Sequence, residues 1–375
     1  MASASGSNVA GTSAPGPVRL LSIDGGGVRG LSALVLLEQL MDASNEYRRD
    51  QGLEALEPWQ AFDMMGGTST GGLIAIMLGR LRLSIEECKR AYTDLARKAF
   101  TPKNWASSTV AKVKLGAKFK TAPLEEAIKS IIGEGADSKL LKEDDSACKV
   151  FVVSHLHKIS EPVILRSYRN RRKPKASFEV MRIWEACRAT SAALTFFEPI
   201  VVDDLTYSDG GLHYNNPVEL LHGEASEVFP GREQLIVSLG TGIGSPKEFD
   251  PTLASIAQTL ASLNTETERT ADNFYRREDS KAARAGRYYR FNVPGMGDIG
   301  LEEANELLQI RVLTEKYLEG SELGQKADAC AKQIAEGASY VAETMPSMLH
   351  SLEEKGDPAQ RGLRERLDAL RVPTN

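Results

Sequence analysis

The sequence predicts an α/β protein: a three-layer α/β/α sandwich with a largely parallel central sheet and added C-terminal helices. Three observations predict it. From Val18 onward, short apolar runs that read as strands alternate with longer runs of helical period. VRLLSI (18–23) reads as a strand and EQLIVSLGTG (233–242) as a fully buried one, and their alternation with helices argues for a largely parallel sheet covered on both sides. Several of these runs end in glycine-rich turns.

The elements follow in order. Residues 1–17, MASASGSNVAGTSAPGP, have neither a basic n-region nor an apolar h-region and read as a flexible tail rather than a signal peptide. After the strand VRLLSI, residues 31–41 are helical, with Leu31, Leu34, Leu37 and Met41 along one face. AFDMMGG (61–67) leads into a second turn, and GGLIAIMLGRL (71–81) continues as a buried helix. SIEECKRAYTDLARKAF (84–100) is an amphipathic helix with Ser84 and Glu87 in capping-box spacing. CKVFVVSHLH (148–157) and PVILRSY (162–168) read as two strands of a hairpin, and FEVMRIWEACRATSAA (178–193) as a helix. EQLIVSLGTG (233–242) is another buried strand. From Leu301 the pattern is helical and polar. Residues 18–320 form the main domain, and 321–375 are expected to be a peripheral helical segment.

Composition excludes several classes. A chain of 375 residues, 42% hydrophobic, buries enough for one large domain or two smaller ones. A formal charge of -5 argues against a general polyanion binder, so no nucleic-acid partner is expected. Cys88, Cys148, Cys187 and Cys330 are scattered, with no CxxC, and the five histidines lie far from them. This reads as reduced thiols in an intracellular protein with no metal site. No apolar run approaches the roughly 20 residues that span a bilayer, so a soluble or membrane-surface protein is expected.

Three glycine-rich stations carry the chemistry. The first is Asp24-Gly25-Gly26-Gly27-Val28-Arg29-Gly30, where Gly25, Gly27 and Gly30 match GxGxxG. A dinucleotide site needs an acidic residue at a strand end about 20 positions on. Asp50 lies instead in the polar stretch NEYRRDQG, and the Lys of a Walker loop is missing. Neither nucleotide reading holds, and a purely structural tight turn remains the competing one. The second station, Gly67-Thr68-Ser69-Thr70-Gly71, is a GxSxG between an apolar stretch and an apolar helix, the context of a nucleophile elbow. Its plainer reading is a glycine-rich helix start capped by Ser69. The third is Ser208-Asp209-Gly210-Gly211.

A serine nucleophile needs a base. His350 sits in a helical segment without loop signals. His155 and His157 are read as pointing to opposite faces of one strand, and His213 and His222 follow the third station. None is placed for a triad, which leaves Asp209 as the natural base. No histidine is expected to be catalytic.

The set DGGGVRG, GTSTG and DGG, in that order, resembles the patatin-like phospholipase family, as do IWEACRATSAALTFFEP (183–199) and SLGTG (238–242). The resemblance runs from Val18 to about Tyr317. It implies a patatin-like sandwich that cleaves acyl esters of phospholipids and other lipids through a Ser-Asp dyad, without metal or organic cofactor. By that resemblance Ser69 is the nucleophile, Asp209 the base, and Gly25, Gly26, Gly27 and Arg29 the oxyanion region. Arg29 has two open roles: orienting the loop or meeting a lipid phosphate, and forming a structural ion pair. A lipid-binding or signalling module with secondary hydrolysis is the alternative function.

Two basic runs bear on membrane contact. Residues 95–124 include Lys112, Lys114, Lys118 and Lys120, with Trp105 and Phe119 interleaved, and RSYRNRRKPK (166–175) is the second. Either they dock on anionic lipid or they are solvated surface, with Trp105 and Phe119 at the headgroup level or in the core. The partners expected are therefore an acyl-lipid substrate and a peripheral membrane surface.

Overall fold

The computed structural model describes residues 16–100, 119–140, 148–173, 180–193, 196–243, 266–277, 281–297 and 299–337. In chain order, β1 (Val18–Ile23) runs through the glycine loop into α1 (Gly30–Asp50), and β2 (Met64–Thr68) into α2 (Thr70–Ala75). Next come α3 (Ile85–Ala99), α4 (Thr121–Ile132), β3 (Lys149–Leu156), β4 (Glu161–Arg166) and α5 (Ile183–Thr190). The chain continues through β5 (Ile200–Val202), β6 (Leu205–Asp209), α6 (Gly211–Tyr214), α7 (Val218–Val228) and β7 (Gln234–Leu239). It closes with β8 (Tyr288–Phe291), α8 (Leu307–Leu318) and α9 (Ser321–Gly337).

The α3 start follows its signature: Ser84 N–H donates to Glu87 Oε2 at 2.8 Å, and Glu87 N–H returns to Ser84 Oγ at 3.2 Å. The helix expected over 178–193 begins only at Ile183. Just before it, Arg182 pairs with Lys139 in an isolated antiparallel bridge.

The sheet has eight strands and is mixed. The order β8-β7-β1-β2-β3 is parallel throughout, while β4 and β6 run antiparallel to β3, and β5 antiparallel to β6. The sheet is thus largely parallel, with five of its eight strands from β8 to β3 parallel and the antiparallel strands gathered around and beyond β3. β1 and β7 are buried along their whole length, including the polar Arg19, Ser22, Gln234 and Ser238, as strands covered by helices on both faces are. One face, with Leu21, Ile23, Met65, Val150, Val152 and Val237, packs on α1–α5 and α8. On the other, Leu20, Met64, Phe151, Val153 and Ile236 pack on α7 and on Phe274. Within the segment expected to be peripheral, α9 packs along α1 and buries Cys330 and Ile334 in the main core.

Strand β3 is the template that makes the site. Its residues 149–153 pair with β2, and 154–156 pair with β6. Because β4 pairs across 151–156, it fills the other edge, so β2 and β6 share one edge of β3 and meet end to end. Their C-termini face each other: Thr68 lies opposite Val153, and Asp209 opposite Ser154. Ser69 and Asp209 are thereby brought together from distant parts of the chain.

Candidate active site

Ser69 links β2 to α2 with φ 55° and ψ -126°, a conformation non-glycine residues rarely adopt and one that stores strain. The two glycines of GxSxG make the turn possible. A Cβ on Gly67 would lie 2.6 Å from Gly72 N, and one on Gly71 would overlap the carbonyl oxygens of Ile23 and Asp24. Ser69 is only partly exposed, and its N–H donates to Thr190 Oγ1 at 3.0 Å.

The Ser69 hydroxyl stands close enough to the Asp209 carboxylate to lower its pKa, and Gly211 N–H donates to Asp209 Oδ1 at 2.7 Å. Burial pushes the Asp209 carboxyl up to about 6, against the lowering effect of the Ser69 hydroxyl and the Gly211 N–H. A free carboxylate near 4 is a weak base for a serine hydroxyl, so this shift brings Asp209 toward the range of a general base.

The first glycine station abuts the serine: a Cβ on Gly25 would stand 3.1 Å from Ser69 Cβ. Its donors are not equivalent. Gly25 N–H is taken by Asn215 O at 3.0 Å and is not free for an oxyanion. Gly26 N–H rests on Thr70 Oγ1 at 3.2 Å, a side-chain acceptor that can rotate away. Gly27 N–H has no acceptor among the described residues. Thr70, first residue of α2, contributes one of the orphan N–H groups of a helix start. Gly30 begins α1, and Gly210 and Gly211 form the turn from β6 into α6.

Arg29 is 4% exposed, and its Nε has no acceptor. Burial lowers its pKa to about 10, and no carboxylate pairs with it among the described residues. The ion-pair alternative for Arg29 therefore has no partner there.

The histidine geometry needs correction. His155 and His157 share one face, because side chains two apart on a strand point the same way. Their rings lie 5.7 Å apart, and His213 stacks on His155 at 5.0 Å. His157 Nε2 contacts Ser208 Oγ at 2.9 Å, and His222 Nδ1 contacts Gln234 at 2.7 Å. No described histidine is hydrogen-bonded to Ser69 or Asp209, and His350 lies outside the described residues. Single substitution of His155, His157, His213 or His222 is expected to leave turnover within about tenfold, roughly 1.4 kcal/mol of barrier. A thousandfold loss at any of them, measured on a chromogenic ester, would restore a histidine base.

The basic runs divide. Lys112, Lys114, Lys118, Trp105 and Lys175 lie outside the described residues, whereas Phe119 is core, packed among Phe100, Phe196 and Phe197. Arg166 is not free for lipid: it pairs with buried Glu224 at 2.6 Å, and Lys173 pairs with Glu227 at 2.8 Å. Among the described residues no cluster of histidine, cysteine or carboxylate groups could hold a metal ion, and no helix is long and apolar enough to cross a membrane.

Several site residues escaped the sequence reading. Asn215 Nδ2 and Thr241 Oγ1 both donate to Gly25 O, at 3.2 and 2.7 Å, and Thr190 Oγ1 donates to Val153 O at 2.7 Å. Thr190 and Thr241 lie in ATSAA and SLGTG, stretches that carried the resemblance without a role.

A family model for patatin-like phospholipases matches residues 21–222, more than half of the chain. The chain belongs to the patatin-like phospholipase family. It is 27% identical over 355 residues to the calcium-independent phospholipase A2-gamma of Mus musculus, covering 91% of this chain and 42% of that one. It is 32% identical over 256 residues to patatin-like protein 2 of Arabidopsis thaliana, covering 60% of each. A cGAMP-activated phospholipase of Escherichia coli (strain TW11681) is 27% identical over 247 residues, covering 64% of this chain and 65% of that one. The chain thus spans about two fifths of the length of the phospholipase A2-gamma relatives. Among solved structures, VipD from Legionella pneumophila aligns at TM-score 0.36 and 11% identity, covering 96% of this chain and 82% of that one. Human GIVD cytosolic phospholipase A2 aligns at TM-score 0.39 and 15% identity, covering 85% and 59%.

Proposed function

We propose that this patatin-like protein is a serine-dependent lipid acyl hydrolase of the phospholipase A type, cleaving fatty acyl esters of glycerophospholipids. The observation that carries the reading is the strained Ser69 beside a buried Asp209 whose pKa is raised to about 6. Asp209 takes the Ser69 proton as Oγ attacks the ester carbonyl. The carbonyl oxygen becomes an oxyanion, and the N–H groups of Gly26, Gly27 and Thr70 are the donors nearest to hand. Collapse expels the alcohol, which leaves with the proton from Asp209, and an acyl-Ser69 ester remains. Water then attacks that ester, gives its proton to Asp209, and the fatty acid departs as Ser69 recovers a proton. No step needs a metal or cofactor.

Arg29 supports an anionic substrate. A buried cation without a carboxylate is costly, and a lipid phosphate at the glycine loop would relieve it. Four free, buried cysteines fit a reducing, intracellular setting, peripheral to a membrane.

The test is mass spectrometry of products from a mixed lipid extract, wild type against Ser69→Ala. Free fatty acid and lysolipid released only by the wild type are expected, and equal release by both sinks the reading. The pH profile adds a second check. Asp209 acts as a base only when ionised, so kcat/KM is expected to fall as pH drops through about 6 and to stay level above it. A profile flat down to pH 4.5, or one that falls only on the alkaline side, would exclude Asp209 as the base.

A further inference from the structure

The oxyanion loop consists of glycines, which cannot hold their own position, so its place depends on its ends. Asp24, the residue just before it, is fully buried. Its N–H donates to Leu239 O at 3.0 Å, and its Oδ2 receives Arg290 Nη2 at 2.7 Å. Arg290 stands on β8, in register with Ser238, and donates to Ser238 Oγ at 3.0 Å and to Glu268 Oε1 at 2.9 Å. Glu268 Oε1 also receives Asn292 Nδ2 at 2.7 Å, and Asn292 Oδ1 receives Gly242 N–H at 2.8 Å. The neighbouring Thr241 hydroxyl reaches Gly25 O at 2.7 Å. One hydrogen-bonded chain therefore grips the loop at both Asp24 and Gly25. Lys326 of α9 donates to the Arg290 carbonyl at 2.7 Å and ties the same strand to the C-terminal helices. Arg290, Asn292, Glu268, Thr241 and Lys326 all lie beyond residue 222, where the family match ends.

We infer that Arg290 is a positioning residue for the oxyanion loop, acting through Asp24 and touching no substrate. The inference rests on the hydrolase reading. A buried carboxylate stays ionised only if paired, and a charge-assisted hydrogen bond of this length fixes its geometry. Loop donors misplaced by even a small distance lose transition-state stabilisation while leaving ground-state binding largely alone.

The charged groups facing Asp24 are Arg290 from β8 and Glu266 and Glu268 from the helical residues 266–276. Burial already lifts Asp24 to about 6, and Arg290 lowers it against that. Without Arg290 the carboxylate faces two others with no cation, its pKa rises, and it takes up a proton nearer neutrality.

The experiment measures kcat and KM on a soluble chromogenic ester across pH, using the full chain and the variants Arg290→Met, Arg290→Lys, Asp24→Asn and Asp24→Asn/Arg290→Met. Arg290→Met is expected to lower kcat by about tenfold or more with KM within about twofold. Its acid limb should move up by about one pH unit or more. Arg290→Lys should retain part of kcat. The double variant should lose the displaced limb and regain part of kcat, since the fully buried carboxylate is gone and the Glu268 left behind is partly exposed. A native kcat and acid limb in Arg290→Met overturns the inference, as does an equal loss in single and double variants with the limb unmoved. Should Arg290→Met fail to fold, Asp24→Asn decides: it keeps shape and leaves Arg290 on Glu268, and a native kcat there also overturns it. A dead Ser69→Ala beside a native-like Arg290→Met refutes only the positioning role, whereas an active Ser69→Ala refutes the hydrolase itself.

Discussion

Ser69→Ala is expected to abolish ester turnover, by about 10,000-fold or more in kcat, with circular dichroism unchanged. Asp209→Asn should cost about 1,000-fold or more, because an amide cannot take the serine proton. The two variants should differ in stability. Asp209 has its pKa raised in the folded state, so ionisation at neutral pH opposes folding, and that opposition fades as pH falls toward the unfolded value near 4. Asp209→Asn is therefore expected to unfold at a higher temperature than wild type at pH 7, by roughly 1 kcal/mol, with the difference vanishing near pH 4. Near-native turnover by either variant, folded by circular dichroism, removes the dyad. A lowered midpoint for Asp209→Asn at pH 7 would instead mean that its hydrogen bonds outweigh its desolvation.

Gly71→Ala is the second large effect. The added methyl would collide with the backbone of Ile23 and Asp24, where β1 enters the glycine loop. Backbone cannot swing aside as a long side chain can, so elbow and loop must separate. A loss of about 3 kcal/mol or more is expected, a fall in thermal midpoint of roughly 6–12 °C, together with loss of activity. Gly52→Ala is the control for a methyl with nothing near it, although its φ of 72° carries a strain of its own. A Gly71→Ala protein that melts and turns over like wild type would show that elbow and loop do not depend on their close contact.

These expectations separate what the chain states locally from what folding adds. The elbow was legible because its demand is local: a sharp turn that exposes a serine needs small neighbours, and GTSTG supplies them. The strands β1 and β7 were legible for a similar reason, since each is a short, mostly apolar run bounded by glycine-rich turns. The Ser84 and Glu87 cap lies within one helical turn, and its spacing sufficed.

What the sequence left open or misread around the basic runs has a different cause. Arg166 looked like free positive charge because Glu224 lies on another element, and only the packing of α7 beside β4 brings them to 2.6 Å. Phe119, open in the sequence between the headgroup level and the core, is placed in the core by Phe100, Phe196 and Phe197 closing around it. His155 and His157 were misassigned although strand periodicity alone places them on one face.

The sequence by itself determined the glycine stations that carry Ser69 and Asp209 and the layered α/β class, because turn chemistry and hydrophobic periodicity act within a few residues. Tertiary structure alone decided that Ser69 and Asp209 meet, since that depends on β2 and β6 sharing one edge of β3 from opposite directions. It also decided which glycine N–H groups remain free, how far burial lifts Asp209, and that Arg290 grips Asp24. Strand pairing and desolvation join residues far apart in the chain, and no local pattern records them.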